Sequence, residues 1–281
     1  MHEQIIGENI ERISQTRVNM GEYNASSSKR IEATRMIPTA LVTGAFQGIG
    51  LATAELLLEK GFRVILADVQ DCSGKAADLI TAGHDAHAIV LDLAESRNFT
   101  RIASKLEERF GQLDVLINNA AILVDMGKHP SDLDEELFRR VLEINHIGPF
   151  LLTAALVPLL KKAPAARVVN VSSQVAQLKQ LADMESPLRD DVCAAYQTSK
   201  IGVNSMTVLF AKELEPFGIK VNSCCPGWVD SGMNVDELPE YGEEARPKTP
   251  REGADTSVWL ATLPDDGPTA GFFTDRSPID W

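Results

Sequence analysis

The chain has little of what several large functional classes require. Only four of its 281 residues are cysteines, Cys72, Cys193, Cys224 and Cys225, and two of these are adjacent. Their spacing fits neither a zinc site nor a disulfide framework, so no metal is expected and the thiols read as small buried side chains in a reducing cytoplasm. Positive charge is also short: 27 Lys and Arg face 40 Asp and Glu, a formal net charge of -13. Nucleic-acid binding needs a basic face for the phosphates, so no nucleic-acid partner is expected. No apolar run approaches the length that spans a bilayer and the N-terminus lacks a signal-peptide core, so no membrane partner is expected either. Internal repeats are absent, and nothing marks a boundary between two folded domains.

What remains is an ordinary globular composition, 44% hydrophobic and 24% charged, long enough to bury a full core. Residues 1–36 differ from the rest. They carry five acids and five bases, a polar Asn24-Ala25-Ser26-Ser27-Ser28 patch and few aromatics, and they read as a mostly flexible extension. From Thr39 the pattern alternates. Short apolar runs stand at Ala40–Val42, Val64–Ala67, Ala88–Leu91 and Val115–Ile117, Val168-Val169-Asn170-Val171 reads as another strand, and Lys220-Val221-Asn222 closes a sixth. Helix-patterned stretches separate them: through Lys60, at Ala76–Ala82, around Phe99–Phe110, from Ser131 with Asp134 completing a cap, and near Ala194–Leu214. Near-continuous apolar strands alternating with helices mean parallel strands covered on both faces. The expected fold is a single α/β domain over residues 37–281, a doubly wound parallel sheet of the Rossmann type.

The turn after the first strand reads Thr43-Gly44-Ala45-Phe46-Gln47-Gly48-Ile49-Gly50. Gly44 permits a turn closed to most residues, Gly48 lets the backbone approach a pyrophosphate, and Gly50 lets helix and strand pack closely. The helix end then offers free N–H groups and a positive dipole to an anion. The spacing G-x-x-x-G-x-G differs from the commoner G-x-G-x-x-G, and alone such a loop could be structural punctuation. Its place between strand one and helix one favours a dinucleotide site that includes Gln47 and Ile49. Asp68 ends the second strand, 24 residues after Gly44, where a carboxylate accepts from both ribose hydroxyls of NAD and repels a 2′-phosphate. Asp92, with Leu93 beside it, is a candidate neighbour of the adenine. Asn118-Asn119-Ala120-Ala121 would lie under the cofactor, its small residues leaving room for a ligand.

Tyr196 and Lys200 are four apart in helix-patterned sequence and share a face. A tyrosine, with a pKa of about 10, is a poor base at neutral pH. A nearby ammonium and an oxidised nicotinamide both favour phenolate, which makes it a usable acid or base for a carbonyl oxygen. Ser173, just after the fifth strand, could hydrogen-bond the same oxygen.

Taken in order, these motifs, with Asn145, Val171-Ser172-Ser173 and Pro226-Gly227, resemble the short-chain dehydrogenase/reductase family from about Pro38 to Trp281. The resemblance implies an NAD(P)-dependent oxidoreductase that moves a hydride between nicotinamide and a carbonyl or alcohol carbon of a small molecule. Tyr196 would give or take the proton. Lys200 would hold the ribose and depress the tyrosine pKa, Ser173 would orient the carbonyl, and Asn145 would anchor a water-based proton relay. Pro226, Gly227 and Val229 would border the nicotinamide, with Ser231 near its carboxamide. Asn222–Val229, Glu252–Thr256, Trp259–Pro264 and Trp281 look like the carbonyl reductase branch, whose members reduce ketones, aldehydes and quinones, usually with NADPH; Trp228 would be a substrate-side wall or a core aromatic. Three departures stand out. Gln47 and the Asp68-Val69 pair replace the basic residues of NADP-using relatives and favour NAD, with NADP as the alternative. Ala121 stands where the family has glycine. Ser173 and Tyr196 are 23 apart, so the extra residues within Gln174–Val192 would form part of the pocket or its lid. Many relatives pair through the helix that carries Tyr196, so a homo-oligomer is possible. An NAD-dependent alcohol or sugar dehydrogenase working oxidatively and a non-catalytic dinucleotide sensor stay open beside the reductase reading.

Every motif lies downstream of residue 36. A chain begun at Met36 is therefore expected to keep the melting temperature and turnover of the full chain, and a large loss in either would show that the extension packs on the core or the pocket.

Overall fold

The computed structural model of the protein describes residues 37–186, 192–233 and 247–281, so the expected N-terminal extension lies outside the described residues. Pro38–Trp281 form one compact unit. Its strands are β1 Thr39–Thr43, β2 Arg63–Asp68, β3 Ala86–Val90, β4 Val115–Asn118, β5 Arg167–Val171, β6 Lys220–Cys224, β7 Phe272–Thr274 and β8 Ser277–Pro278. The sheet order is β3-β2-β1-β4-β5-β6-β7-β8, parallel except for the last pair. Strand order therefore reverses between β1 and β4, the switch point where doubly wound sheets open a crevice beyond their carboxyl ends. The expected fold is the one observed.

The helices are α1 Gly48–Glu59, α2 Ser73–Thr81, α3 Phe99–Phe110, α4 Glu135–Leu160, α5 Leu178–Ala182, α6 Ala194–Leu214 and α7 Pro250–Ala261. They cover the sheet on both sides. Phe99, Leu106, Leu152, Leu156, Met206 and Phe210 pack on one face, and Leu57, Leu58, Val258, Leu260 and Phe273 on the other. Strands β1, β4 and β5 are buried along their whole length, which is why they read as mostly apolar segments without strict alternation.

Several boundaries differ from the sequence reading. Ser131 sits in a single 3-10 turn, Pro130–Asp132. Asp134 is itself the cap of α4, its carboxylate accepting from Leu137 N at 2.8 Å; the Pro-Ser-Asp triplet favours a tight turn over a full helical start. Asp92 lies two residues beyond the end of β3. β7 and β8 were not expected, because each is too short to show an alternation. Part of the proposed insertion after Ser173 forms the one-and-a-half-turn α5. α4 also revises the expectation about span-length apolar segments: it runs 26 residues with a mean hydropathy of 1.4 in its most apolar stretch. Leu152, Leu156, Leu159 and Leu160 are buried in the domain core, the packing of a core helix.

At the β1–α1 turn a Cβ added to Gly50 would lie 2.0 Å from the Gly44 carbonyl oxygen. At Gly74 in α2 a Cβ would meet nothing within 4 Å. Gly50→Ala should therefore cost about 1–3 kcal/mol from overpacking, whereas Gly74→Ala should gain up to about 1 kcal/mol of helix propensity. Urea unfolding of both variants checks the contrast, and equal effects would contradict it.

Candidate active site

The parallel strands deliver four short segments to one edge. After β1, Thr43 turns into Gly44, whose φ of 66° is left-handed, a conformation that costs glycine little. The Thr43 hydroxyl accepts from the backbone N–H of Asn119 at 3.0 Å and of Ala120 at 3.1 Å, and donates to the Ile117 carbonyl at 3.3 Å. The Asn119 amide donates in turn to the carbonyls of Thr43 at 2.8 Å and Gly44 at 3.3 Å. These bonds lock the β4 exit against the glycine turn. The N-terminus of α1 is left open: Gln47 caps it with extended backbone only, and no acid stands in the first turn. Gly48 faces the Ser231 carbonyl so closely that a Cβ would come within 2.5 Å of it. A twelve-residue helix with unmasked N–H groups and a glycine cradle fits an anionic pyrophosphate.

At the end of β2, Asp68 accepts from Phe46 N at 3.1 Å and from Gln70 N at 2.9 Å. Its carboxylate thus stands beside the glycine turn. Of the two cations near Asp68 in sequence, Arg63 and Lys75, Arg63 begins β2, at the strand's other end, and is bound to Asp85 at 2.7 Å. Lys75 lies 5.3 Å from the centre of the Phe46 ring and is the cation of the two on the Asp68 side. Asp92 is exposed and Leu93 buried, where α4 closes through Gly148 onto the Leu93 carbonyl.

Tyr196, half-buried, lies in the first turn of α6 and the buried Lys200 one turn on. The Tyr196 phenol faces Ser173, which caps the 3-10 turn after β5. Lys200 is 2% exposed; its ammonium donates to the Val171 carbonyl at 2.8 Å and stands 5.4 Å from the centre of the Tyr196 ring. Asn145 is brought in by a π-helical turn, Glu143–Ile147, within α4. Its side chain exchanges hydrogen bonds with Ile122 N and O, both at 2.8 Å, and donates to Ser199 at 3.1 Å. The four residues named from the sequence therefore converge on one place.

The electrostatics add contributions that the sequence did not show. Burial pushes the Tyr196 phenol above its ordinary range, with Cys225, Cys193 and Asp125 acting in the same direction and the Ser173 hydroxyl opposing. Depression by Lys200 does not dominate, because the phenol is desolvated and the ammonium is turned to a carbonyl. Burial likewise pushes Lys200 down to about 8.

Beyond β6 the chain turns at Gly227, φ 79°. Cys225 Sγ accepts from Gln174 N at 3.3 Å and Gly227 N at 3.4 Å, tying the turn after Ser173 to the Pro226-Gly227 turn. Lys248 donates to the Pro226 carbonyl at 3.4 Å and pairs with Asp275, and its backbone joins Trp228 and Asp230. Val229 is buried against Gly253 of α7, next to Ile49. Trp228 is half-buried, a position intermediate between the two roles considered for it.

Sequence reasoning missed Thr43, Asp125, Cys225 and Lys248. Thr43 and Cys225 stood inside quoted motifs, with no signal for their side-chain bonds. Asp125 was a lone acid in the apolar run Ile122-Leu123-Val124-Asp125-Met126, which could have marked it. A groove of about 490 Å³ between β3 and α3 reaches Asp92 but touches none of Ser173, Tyr196 or Lys200, so it is not the reacting site. Among the described residues no His, Cys, Asp and Glu cluster could hold a metal ion.

Residues 38–242 match the family model described as short chain dehydrogenase. The chain is 34% identical over 233 residues to a trans-4-hydroxycyclohexanecarboxylate dehydrogenase of Sinomonas cyclohexanicum, covering 79% of this chain and 85% of that one. It is 30% identical over 283 residues to the NADPH carbonyl reductase 1 of Sus scrofa, covering 86% and 93%. Among solved structures, salutaridine reductase from Papaver somniferum superposes with a TM-score of 0.68 at 27% identity, covering 85% of this chain and 99% of that one.

A lysine whose pKa falls from 10.5 unfolded to about 8 folded binds fewer protons in the native state between those values. Its contribution to stability is therefore gained as pH rises through 8 and is absent below it. The unfolding free energy of the wild type minus that of Lys200→Met should grow by up to about 1.4 kcal/mol per pH unit between pH 8 and 10. A difference that stays flat in urea titrations across that range would contradict the burial account.

Proposed function

The chain belongs to the short-chain dehydrogenase family and is an oxidoreductase of carbonyl and alcohol carbons, and on that premise we propose that Tyr196 exchanges the proton while NAD is the preferred cofactor. The observation that carries this reading is the buried Lys200 ammonium 5.4 Å from the centre of the Tyr196 ring at the carboxyl edge of the sheet, beside a glycine turn with an open helix end. The nicotinamide, when bound, supplies or accepts the hydride. The chain's residues do the rest. The Ser173 hydroxyl orients the substrate oxygen, and Tyr196, raised by burial, delivers a proton to it as the carbon is reduced. Lys200 reaches the ribose, and Asn145, anchored on Ile122, holds the far end of a proton path. Gly44, Gln47, Gly48, Ile49 and Gly50 cradle the pyrophosphate. Asn119 and Ala120 floor the crevice, while Pro226, Gly227, Val229 and Ser231 border the nicotinamide. Asp92 and Leu93 flank the adenine, and Trp228 walls the substrate side.

Tyr196→Phe removes the proton donor while leaving ring packing intact. Turnover with small ketones or aldehydes should fall at least about 10²-fold with the melting temperature nearly unchanged. Carbonyl reduction that survives with little loss would refute the assignment.

For the cofactor, Asp68 favours NAD because a 2′-phosphate would meet a carboxylate already aimed at the glycine turn. This choice also supports an oxidative second reading, an alcohol dehydrogenase, since an NAD-linked enzyme serves either direction. Fluorescence titration should give tighter binding of NADH than of NADPH, and Asp68→Ala with Val69→Arg should reverse the order. Tighter NADPH binding by the wild type, with Lys75 as the gripping cation, would overturn the preference and leave the oxidoreductase standing.

A further inference from the structure

Asp125 is a fully buried acid that the chemistry described so far does not use. It lies in the loop between β4 and α4. That loop is fixed at both ends, by the Asn145 bonds to Ile122 and by a Gly127 N bond to the Val192 carbonyl at 2.7 Å. Lys128 also bridges Cys193. The loop is thereby stitched to the start of α6, the helix that carries Tyr196.

A helix start leaves backbone N–H groups that need acceptors, commonly a side chain at the cap position. Cys193 occupies that position in α6 and makes no side-chain cap bond. Asp125 supplies it from outside: one carboxylate oxygen, Oδ2, accepts from Ala195 N at 2.7 Å and from Tyr196 N at 3.3 Å. The second oxygen, Oδ1, is buried with no hydrogen-bond partner among the described residues. A neutral acceptor would cap the helix without the cost of a half-satisfied buried charge, so capping alone does not account for a carboxylate here.

We propose that Asp125 is a positioning residue that acts through Tyr196: from the β4–α4 loop it pins the backbone N–H of that residue and sets a buried carboxylate against the start of the helix that presents the phenol. The proposal rests on the reading of Tyr196 as the proton donor. The groups that face the phenol act in two directions. Lys200, one turn along α6, favours phenolate, as does the Ser173 hydroxyl after β5. Asp125 from the β4–α4 loop, Cys193 before α6, Cys225 after β6 and burial itself oppose it. Asp125 is the carboxylate in that set, and it is held against the backbone of the donor itself. It touches no reacting atom, so its effect is on where the proton sits.

Asp125→Asn keeps an amide oxygen to cap Ala195 and Tyr196 and removes the charge, and Asp125→Ser does the same with a hydroxyl should the first variant fold poorly. The readout is phenolate absorbance against pH, with Tyr196→Phe as the blank for the other two tyrosines, Tyr23 and Tyr241. Each titration is run with and without saturating NAD⁺. The neutral variants should ionise Tyr196 roughly one pH unit lower than the wild type. An unmoved titration in a folded neutral variant would reduce Asp125 to a helix cap and overturn the proposal. Failure of the protein to bind NAD⁺ would count against the reading of the site, and the titrations without cofactor would still judge Asp125.

Discussion

The site depends on how closely two loops approach at the switch point of the sheet. Thr43 offers one hydroxyl to two backbone N–H groups of the β4 exit, and the Asn119 amide returns two bonds to the β1 exit. These contacts set the floor of the crevice and leave no space for a side chain at Gly44 or Gly50. The open end of α1 is a consequence, because a turn this tight brings the helix N-terminus to the mouth of the crevice with its N–H groups outward. Everything assigned to the dinucleotide is built on that floor.

The chemical side obeys a different constraint. Tyr196 and Lys200 are both desolvated, and burial moves their proton equilibria in opposite directions, the phenol up and the ammonium down to about 8. Both shifts favour neutral groups, so the resting site is a protonated donor beside an easily discharged amine. The positive charge of an oxidised nicotinamide acts against that bias and favours phenolate, which lets one residue serve as acid in reduction and as base in oxidation. Buried groups of this kind cost stability at the position where they act, a common trade at functional sites.

Much of this was legible in the sequence. Mostly apolar strand segments gave the parallel core, because strands covered on both faces need no polar alternation, and the motif residues all reach the same edge because parallel strands share their carboxyl ends. What escaped was either too short or too distant to register. β7 and β8 are a few residues each and form only against β6 and each other. Asp134 was misassigned because a capping motif is ambiguous when two candidate caps lie three residues apart. The burial that raises the Tyr196 phenol was not legible, because Lys200 is visible at four residues, whereas Asp125, Cys225 and the desolvation come from segments that meet only in the fold.

The most direct measurement uses NADH carrying deuterium at the transferable ring position, offered to the protein with a panel of small ketones and aldehydes, and the reverse experiment with deuterated alcohols and NAD⁺. Mass spectrometry of the products follows the label. The account predicts deuterium on the carbinol carbon of at least one product, at a rate that Tyr196→Phe reduces strongly. Cofactor that binds the protein yet passes no label to or from any carbon of either panel would contradict it.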